Sequence, residues 1–346
     1  MTMRIERLEP TEKNAALWDA FVDQHPDATS DHWWGWRQVL SGTFGFEPYY
    51  LAAFNDQRQL DGILPLFKIP RGFGRCALSS IPYGNYGGIC ASSVEASDAL
   101  LDTAKVLAQE LRARYVDLRH RKPLPVPNLQ RQWLYSRFTL PLTGDLKQHA
   151  QAAGQNNRKK ISKARRSGLR VVYSRDVSLL YPIHLHTARR LGTPCFPYRY
   201  FESILETFGD RAQIAFVAKD SSMVAYDVNL FFKDSLIIQL GGALKSYSAY
   251  YPNNFLFWDA IEQGCARQLK LLDYCRNRSD SGSAHFKRSL HLTETPLAYQ
   301  FYLPPGSTMP QRHPSNPKYS LVINAWKQLP LRLTQWCGPT LVRYLA

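Results

Sequence analysis

The sequence predicts an α/β fold in which two similar units each build a mixed central sheet flanked by helices. Residues 49–67 and 214–232 each have the pattern of a strand, a polar turn and a second strand. Each hairpin is followed by an apolar run with a Gly-Gly pair, at 81–90 and 236–245. The same order of elements in two places indicates a duplicated unit.

A helix and a short strand complete each copy of the repeat. Residues 97–115 and 253–270 have the apolar spacing of amphipathic helices. Both run into short strands that contain an Asp and an Arg, at 115–119 and 271–276. A helix that crosses over into a parallel strand is typical of a mixed sheet. The alternative is that two unrelated α/β units share these common motifs.

The repeat also predicts the domain boundaries. We expect one domain over 1–145, a second over 146–310 that begins with a basic helix, and an amphipathic tail over 311–346. The stretch 121–132 is rich in proline, and it is the expected connecting loop of the first domain.

Composition and charge limit the class of protein. The chain has 346 residues, 45% of them hydrophobic and 13% aromatic, and a formal net charge of +15. Such a chain buries a sizeable core, which excludes wholesale disorder. The positive charge favours an anionic partner such as phosphate, nucleic acid or an acidic membrane surface. Because no apolar run approaches the ~18 residues of a spanning helix, we expect a cytoplasmic protein.

Several common kinds of site are not indicated. The six cysteines lie far apart without a Cys-x-x-Cys pair, so we expect reduced thiols and no metal site. The sequence has neither a Gly-x-Ser-x-Gly elbow nor a Ser, His and Asp order typical of hydrolases. It also lacks a Walker A loop and the dinucleotide pattern Gly-x-Gly-x-x-Gly.

A basic run is the most unusual local feature of the sequence. Seven positive residues and no acid lie between Arg158 and Arg170. On a helix, Ile161 and Ala164 share one narrow apolar face, and Gly168 ends the helix. The wide positive surface predicts contact with the phosphates of a substrate. The alternative is a helix face that is merely solvated. The residues expected to bind substrate here are Arg158, Lys159, Lys160 and Lys163.

Five stretches of the chain carry a resemblance to a known family. The order of elements resembles the GNAT acyltransferase fold, and the tandem arrangement resembles the Fem family of peptidoglycan-bridge aminoacyl transferases. The chain looks most like the FemAB-like proteins associated with exosortase-linked exopolysaccharide genes. The stretches are "PYGNYGGI" (82–89), "KARRSGLRV" (163–171), "LGTPCFPYRYF" (191–201), "DYCRNRSDSGSAHFK" (273–287) and "TPLAYQFYL" (295–303).

The resemblance implies a catalytic role for Lys287. Fem enzymes rely on a lysine near the reacting carbonyl oxygen, and Lys287 matches that lysine by position. An ammonium group next to developing negative charge stabilises a tetrahedral intermediate. The alternative is a surface lysine at the end of a strand. Asp227 alternates with apolar residues on a predicted strand and could accept the proton of the incoming amine. A carboxylate on an exposed sheet face is the alternative there.

Polar residues near the predicted strand ends are candidates for substrate binding. Arg276 and Arg278, with Ser281 in the following loop, suit a phosphate or a carboxylate. An ion pair between Arg276 and Asp273 or another acid of the chain is the alternative. Other candidates are Tyr83 and Asn85, in a Gly-rich turn that resembles an acceptor-binding loop of the family. The glycines of that turn could equally be needed for backbone conformation alone.

The C-terminal segment 321–346 combines tryptophan and leucine with lysine and arginine and contains no acid. This composition suits a helix on an anionic membrane surface, which would give peripheral contact with the inner face of the membrane. Packing against the body of the protein is the alternative.

Together these features predict an N-acyltransferase that moves an aminoacyl or acyl group onto an amine of a cell-envelope precursor. The acceptor would be a peptidoglycan-type peptide or an amino sugar, linked to a nucleotide or a lipid. We expect no tightly bound cofactor, and a charged tRNA or an acyl-CoA as the donor. The GNAT loop that binds acyl-CoA is missing, which disfavours acetyl-CoA. The alternatives are acyl-CoA-dependent N-acylation in exopolysaccharide biosynthesis and a non-catalytic basic module that binds RNA or membrane.

Overall fold

The computed structural model describes residues 3–72, 74–310 and 317–346. The chain divides into two compact units. The first unit comprises Met1–Leu134, Leu297–Arg312 and Arg343–Ala346, and the second comprises Tyr135–Pro296 and His313–Val342. The boundaries expected at 145/146 and 310/311 stay predictions, and residues 311–316 of the expected tail lie outside the described residues.

Runs of strands are separated by single helices or helix pairs along the described chain. The strands are β1 (Arg4–Arg7), β2 (Glu47–Phe54), β3 (Leu60–Pro70), β4 (Cys76–Ser80), β5 (Cys90–Ala91), β6 (Val116–Leu118), β7 (Gln130–Pro141), β8 (Arg170–Ser174), β9 (Ala212–Lys219), β10 (Ser222–Phe232), β11 (Ser235–Ala243), β12 (Leu271–Arg278) and β13 (Thr293–Tyr302). The helices are α1 (Glu12–Gln24), α2 (Trp36–Phe44), α3 (Val94–Glu110), α4 (Leu146–Ala152), α5 (Gly154–Arg166), α6 (Val177–Leu191), α7 (Tyr198–Phe208), α8 (Pro252–Ala266), α9 (Gly282–Ser289), α10 (Pro317–Gln328) and α11 (Leu331–Val342).

The first unit is built on a mixed sheet with the strand order β1-β2-β3-β4-β6-β13. Neighbours are antiparallel except β4 and β6, which are parallel because α3 crosses over between them. The apolar face of α3 packs on the sheet. Leu100 and Ala104 of the helix belong to one buried cluster with Leu64, Leu66 and Leu78 of the strands.

The second unit repeats this plan with the strand order β8-β9-β10-β11-β12-β7. Here β11 and β12 are the parallel neighbours, and α8 is the crossover between them. Phe257 and Ile261 of α8 are buried with Val217, Leu236 and Leu272 of the sheet. The predicted order of hairpin, third strand, helix and parallel strand is therefore confirmed in the second unit. In the first unit the third strand is Cys76–Ser80, which precedes the predicted stretch 81–90.

The two Gly-Gly pairs differ, however. Gly241 and Gly242 lie in β11 as predicted, whereas Gly87 and Gly88 lie in a loop. A Cβ atom at Gly88 would lie 2.3 Å from Cδ2 of His120, whose Nε2 accepts a hydrogen bond from the Ile89 N–H at 2.9 Å. The predicted strand is wrong over most of its length because the buried side chains of Asp31 and His120 accept the backbone N–H groups of Asn85, Tyr86 and Ile89, and only Cys90–Ala91 pair with a strand, β3.

Each unit takes one antiparallel strand from the other half of the sequence. Residues Tyr135–Pro141 of β7 pair with β12 in the second unit. Residues Gln300–Tyr302 of β13 pair with β6 in the first unit. The two units are thus interleaved along the chain. No helix among the described residues is both long and apolar enough to cross a membrane.

Candidate active site in the second unit

Strands β11 and β12 pair over a short distance only. Their paired residues end with Ile237 opposite Asp273. Beyond Asp273, β12 has a bulge, in which Cys275 adopts a positive φ of 53° and donates its N–H to Asp273 Oδ1 at 2.8 Å. The other carboxylate oxygen of Asp273 accepts two hydrogen bonds from Arg137, at 2.9 and 2.7 Å. The bulge thus redirects β12 at the point where its pairing with β11 ends.

Asp227 of β10 lies directly opposite Gly241 of β11 in the antiparallel register. A Cβ atom at Gly241 would lie 2.1 Å from Oδ1 of Asp227, so glycine is required to leave room for the carboxylate. Gly241 is exposed, whereas Asp227 is only 8% exposed. Among the described residues, the Asp227 carboxylate has no hydrogen-bond or ion-pair partner, and burial raises its pKa to about 8.

Lys287 lies on α9 and is 9% exposed, so the alternative of a surface lysine ending a strand is wrong. Its Nζ donates a hydrogen bond to the backbone carbonyl of Tyr274, in the bulge of β12. The same Nζ lies 5.4 Å from the ring centroids of Phe138 and Tyr274, a cation–π arrangement. Burial lowers the pKa of Lys287 to about 8, and the charges of Cys275, Asp273 and Asp227 partly offset this effect.

Asp227 and Lys287 are coupled electrostatically, because each shifts the pKa of the other towards its charged form. The described residues add a second acid that the sequence analysis missed. Asp259 of α8 accepts a hydrogen bond from the Tyr173 hydroxyl at 2.7 Å, and burial raises its pKa to about 6. An acid in the apolar stretch "FLFWDAI" was the available signal for it. Two carboxylates and one ammonium group thus share a buried region.

The residues at the end of β12 have partners of their own. Arg276 stacks over the Tyr135 ring at 4.4 Å, and Arg137 pairs with the Asp273 carboxylate at 2.7 Å. Arg278 forms two bonds with Asp280, at 3.0 and 2.5 Å. Ser281 is the N-cap of α9, and its hydroxyl accepts the Ala284 N–H. The loop is therefore ordered by internal contacts.

The basic run forms α5 as predicted. Ile161 and Ala164 are buried, and Gly168 follows the helix with a φ of 77°. Arg158 and Lys159 are exposed, so their charges face solvent. The remaining two predicted residues of this helix lie near one aromatic ring. Nζ of Lys160 and of Lys163 lie 5.9 and 5.3 Å from the ring centroid of Tyr251, the N-cap residue of α8.

A cavity of about 320 Å³ lies at the start of α8. Lys160 lines it together with Arg190 of α6, Lys245, which follows β11, and Asn253 in the first turn of α8. None of the described residues that line this cavity is acidic. The N-terminus of a helix and three cationic side chains favour an anionic ligand. We call this site the α8 cavity. The sequence analysis missed Arg190 and Lys245, which carry no motif.

Tyr83 and Asn85 lie in the first unit, in the loop that precedes β5. Asn85 is buried. Its N–H donates to Asp31 Oδ2 at 2.8 Å, and its carbonyl accepts the Tyr299 hydroxyl at 2.7 Å. Tyr83 has a φ of 63° and packs against the Phe44 ring at 5.1 Å. Asn85 thus stabilises this loop through its backbone.

Comparison with known proteins identifies the fold. Residues 153–288, a segment that contains Asp227 and Lys287, match the family model of the acetyltransferase (GNAT) domain. A tandem GNAT protein from the clavulanic acid biosynthesis pathway aligns with a TM-score of 0.54 and 11% identity, over 87% of this chain and 98% of that chain. This chain is a tandem GNAT-fold protein. The predicted α/β fold with two GNAT-like units is confirmed.

Two further structures resemble this tandem GNAT-fold protein. The crystal structure of FemX aligns with a TM-score of 0.63 and 14% identity, over 92% of this chain and 100% of that chain. The C-terminal domain of a putative lysylphosphatidylglycerol synthetase from Agrobacterium fabrum aligns with a TM-score of 0.56 and 13% identity, over 84% and 91% of the two chains. The resemblance to FemAB-like proteins is thus confirmed at the level of the fold. No curated protein matches the sequence. Among the described residues of the tandem GNAT-fold protein, no group of His, Cys, Asp and Glu side chains could hold a metal ion.

Proposed function

We propose that the second unit catalyses N-acyl transfer, with Asp227 as the general base and Lys287 as the group that stabilises the oxyanion. The observation that carries this proposal is the unpartnered, buried Asp227 carboxylate beside exposed Gly241 in a GNAT fold. A buried carboxylate without a partner costs stability, so its presence favours a role in function.

The raised pKa of Asp227 suits the removal of a proton from an alkylammonium group. A base works best when its pKa lies near the operating pH, and burial brings the pKa of Asp227 to about 8. In the first step, the ionised carboxylate takes one proton from the acceptor ammonium. The resulting neutral amine is then the nucleophile.

In the second step, the amine nitrogen attacks the carbonyl carbon of the donor and a C–N bond forms. The carbonyl oxygen gains negative charge, and the Lys287 ammonium would stabilise this charge in a site with little water. Collapse of the tetrahedral intermediate breaks the bond to the leaving group, an alcohol from an ester or a thiol from a thioester. The second proton of the amine goes to the leaving group, and Asp227 returns its proton to solvent.

The donor would place a phosphate in the α8 cavity. Lys160, Arg190 and Lys245 supply three positive charges, and Lys163 adds a fourth nearby. Arg158 and Lys159 extend the positive surface along α5. Either an aminoacyl-tRNA or an acyl-CoA carries the required phosphate and an activated carbonyl. The absent acyl-CoA loop favours the aminoacyl-tRNA.

The acceptor would be the amine of a cell-envelope precursor, a peptidoglycan-type peptide or an amino sugar, linked to a nucleotide or a lipid. Similarity in fold to FemX and to the domain of a lysylphosphatidylglycerol synthetase supports an envelope substrate. In this proposal Arg276, Arg278 and Ser281 of the second unit bind the acceptor, at the cytoplasmic side of the membrane. Tyr83 and Asn85 of the first unit are separate candidates for substrate binding within that unit. Acyl-CoA-dependent N-acylation in exopolysaccharide biosynthesis is the second candidate.

A transfer assay with two donor classes tests the proposal. The purified protein would be supplied with charged tRNA or with a panel of acyl-CoAs, and amide formation on amino-sugar and peptide acceptors measured by mass spectrometry. We expect transfer from one donor class and its loss in Asp227→Asn and in Lys287→Gln. Lys270→Gln, on a lysine that pairs with Asp234 at the surface, is the matched control.

Two results would contradict the proposal. If the Asp227 and Lys287 variants transfer as well as the parent protein, the chemistry is not at this site. If neither donor supports transfer and charge reversal at Lys159, Lys160 and Lys163 abolishes RNA binding, the non-catalytic basic module is correct.

A further inference from the structure

A second cavity, of about 420 Å³, lies where α10 meets α6 in the second unit. Its cationic lining comes from two helices and a loop: Arg189 and Arg190 of α6, Lys245 after β11, and Lys327 of α10. His186 also faces it, and none of the described lining residues is acidic. We call this site the α10 cavity. It shares Arg190 and Lys245 with the α8 cavity, but Arg189 and Lys327 belong to it alone.

Close packing at Gly192 sets the shape of the α10 cavity, and one nitrogen of Arg189, which lines it, has no hydrogen-bond acceptor among the described residues. Gly192 ends α6 with a φ of 76°, and a Cβ atom there would lie 2.5 Å from Cγ2 of Ile323 and 3.0 Å from Cε of Lys327. This close approach seats α10 on the end of α6 and holds Lys327 at the cavity. Nε of Arg189 is buried and has no hydrogen-bond partner in the described chain. An anion in the cavity would lie beside the Arg189 guanidinium, which lines it.

The same C-terminal helices expose large apolar side chains. Leu321 and Val322 of α10 are 73% and 65% exposed, and Trp336 of α11 is 82% exposed. α11 is nevertheless docked, because Gly338 lies so close to Cys195 that a Cβ atom would lie 2.6 Å from its Sγ. The exposed apolar side chains are therefore not the result of a detached helix.

The charge of the C-terminal segment indicates which kind of surface these apolar side chains would contact. From residue 295 to residue 346 the sequence has five lysine or arginine residues and no acid. A surface with exposed Trp, Leu and Val among cations alone matches the interface of an anionic bilayer. A soluble acidic partner would explain the cations but would not require Trp336 to be exposed.

We propose that α10 and α11 lie on an anionic membrane surface, and that the α10 cavity binds the phosphate of a lipid headgroup there. Leu321, Val322 and Trp336 would enter the headgroup region, while Arg189 and Lys327 hold the phosphate. Such docking would bring the enzyme to a lipid-linked acceptor, and this part of the inference rests on the proposed function. The docking itself does not depend on the chemistry.

Vesicle sedimentation tests the proposal with the full chain. The probes are vesicles of phosphatidylcholine alone and vesicles with one quarter phosphatidylglycerol, at two salt concentrations. We expect salt-sensitive binding to the anionic vesicles only. Arg189→Gln and Lys327→Gln should each weaken it about fivefold, since one basic residue near such a surface contributes roughly 1 kcal/mol. Trp336→Ser should weaken it at least as much.

Matched control variants distinguish the loss of a defined binding site from a general loss of positive charge or exposed apolar surface. Lys13→Gln removes one exposed charge from α1, and Trp133→Ser removes a 60% exposed tryptophan from the first unit. Both controls should bind as the parent protein does, and thermal unfolding checks that all variants are folded. Equal losses in the controls and the test variants would overturn the proposal. So would equal binding to neutral vesicles.

Two further experiments distinguish a lipid phosphate from a soluble phosphate, and failure of the membrane site from failure of the proposed function. The first experiment asks whether glycerol phosphate protects Arg189 from modification by phenylglyoxal. If it does, and the protein does not bind vesicles, the ligand is a soluble phosphate and the assignment of a lipid headgroup is overturned. Transfer to a soluble amine is measured without vesicles. Failure of that transfer with intact vesicle binding rejects the proposed function alone, and the reverse result rejects only the membrane site.

Discussion

Gly241 and Asp227 face each other across two antiparallel strands, and the carboxylate occupies the space that a side chain at Gly241 would need. The distance from the Asp227 Oδ1 to an ideal Cβ at Gly241 is 2.1 Å, which no real contact allows. Because Gly241 is exposed, the carboxylate is both buried in the sheet and next to the surface where a substrate would arrive. The role of Asp227 can therefore be tested by a substitution at Gly241, which leaves Asp227 itself unchanged.

Gly241→Ala is therefore expected to displace the Asp227 carboxylate. We expect a loss in kcat/KM of about 100-fold, the lower range of a general-base contribution. The measurement is steady-state transfer with thermal unfolding in parallel. Gly42→Ala is the control, since nothing lies within 4 Å of a Cβ there and alanine favours a helix. Full activity in Gly241→Ala would mean that the carboxylate position does not matter.

Asp227→Asn should reduce activity and increase stability at alkaline pH. The native carboxyl, with its pKa raised to about 8, keeps a proton that the unfolded chain releases near pH 4. Stability therefore falls as pH rises through this window, and the amide removes that loss. We expect the variant to exceed the parent protein by up to about 5 kcal/mol at pH 8 and by nothing at pH 4, since a change of one in pKa corresponds to about 1.4 kcal/mol. Urea unfolding at the two pH values measures the difference.

The pH dependence of transfer should be a narrow bell centred near pH 8. The rising limb reports ionisation of Asp227 and the falling limb reports loss of the Lys287 proton, since both groups have a pKa of about 8. The two limbs belong to the coupled pair. Lys287→Arg keeps a positive charge at alkaline pH, so the falling limb should disappear. A falling limb that persists in a folded Lys287→Arg protein would contradict the role given to Lys287.

Removal of one cation from the α8 cavity should weaken donor binding and leave the chemistry intact. Lys160→Gln is expected to raise the KM for the donor about fivefold or more, with a smaller salt dependence and an unchanged kcat. Arg165→Gln is the matched control on the same helix, because Arg165 is engaged by Glu262 at 2.6 Å. Equal effects of the two substitutions would indicate general electrostatic attraction and no defined site.

The sequence predicted those features that depend on local periodicity. The duplicated order of strands and helices was predicted from alternating and helical apolar spacing, and the buried stripe of α5 from Ile161 and Ala164. Asp227 was placed correctly on a strand. These properties need only neighbouring residues on one element.

Other features depend on contacts between distant residues. The need for Gly241 follows from the register of β10 against β11, which no single stretch encodes. Lys287 is buried because α9 packs under the bulge of β12, so its pKa could not be inferred from the motif "HFK". Arg190 and Lys245 meet at one cavity although more than fifty residues separate them. Ser281 was expected to bind substrate, and its capping role needed the start of α9 to be known.

The interleaved strands have a consequence for synthesis on the ribosome. Strand β6 is complete by residue 118, but the strand that pairs with its open edge, β13, ends at residue 302. While the intervening residues are translated, the first unit has an unpaired sheet edge, and such edges invite aggregation. A nascent chain stalled before β13 should therefore be captured by chaperones and cut by proteases within the first unit, and release of the full chain should end both.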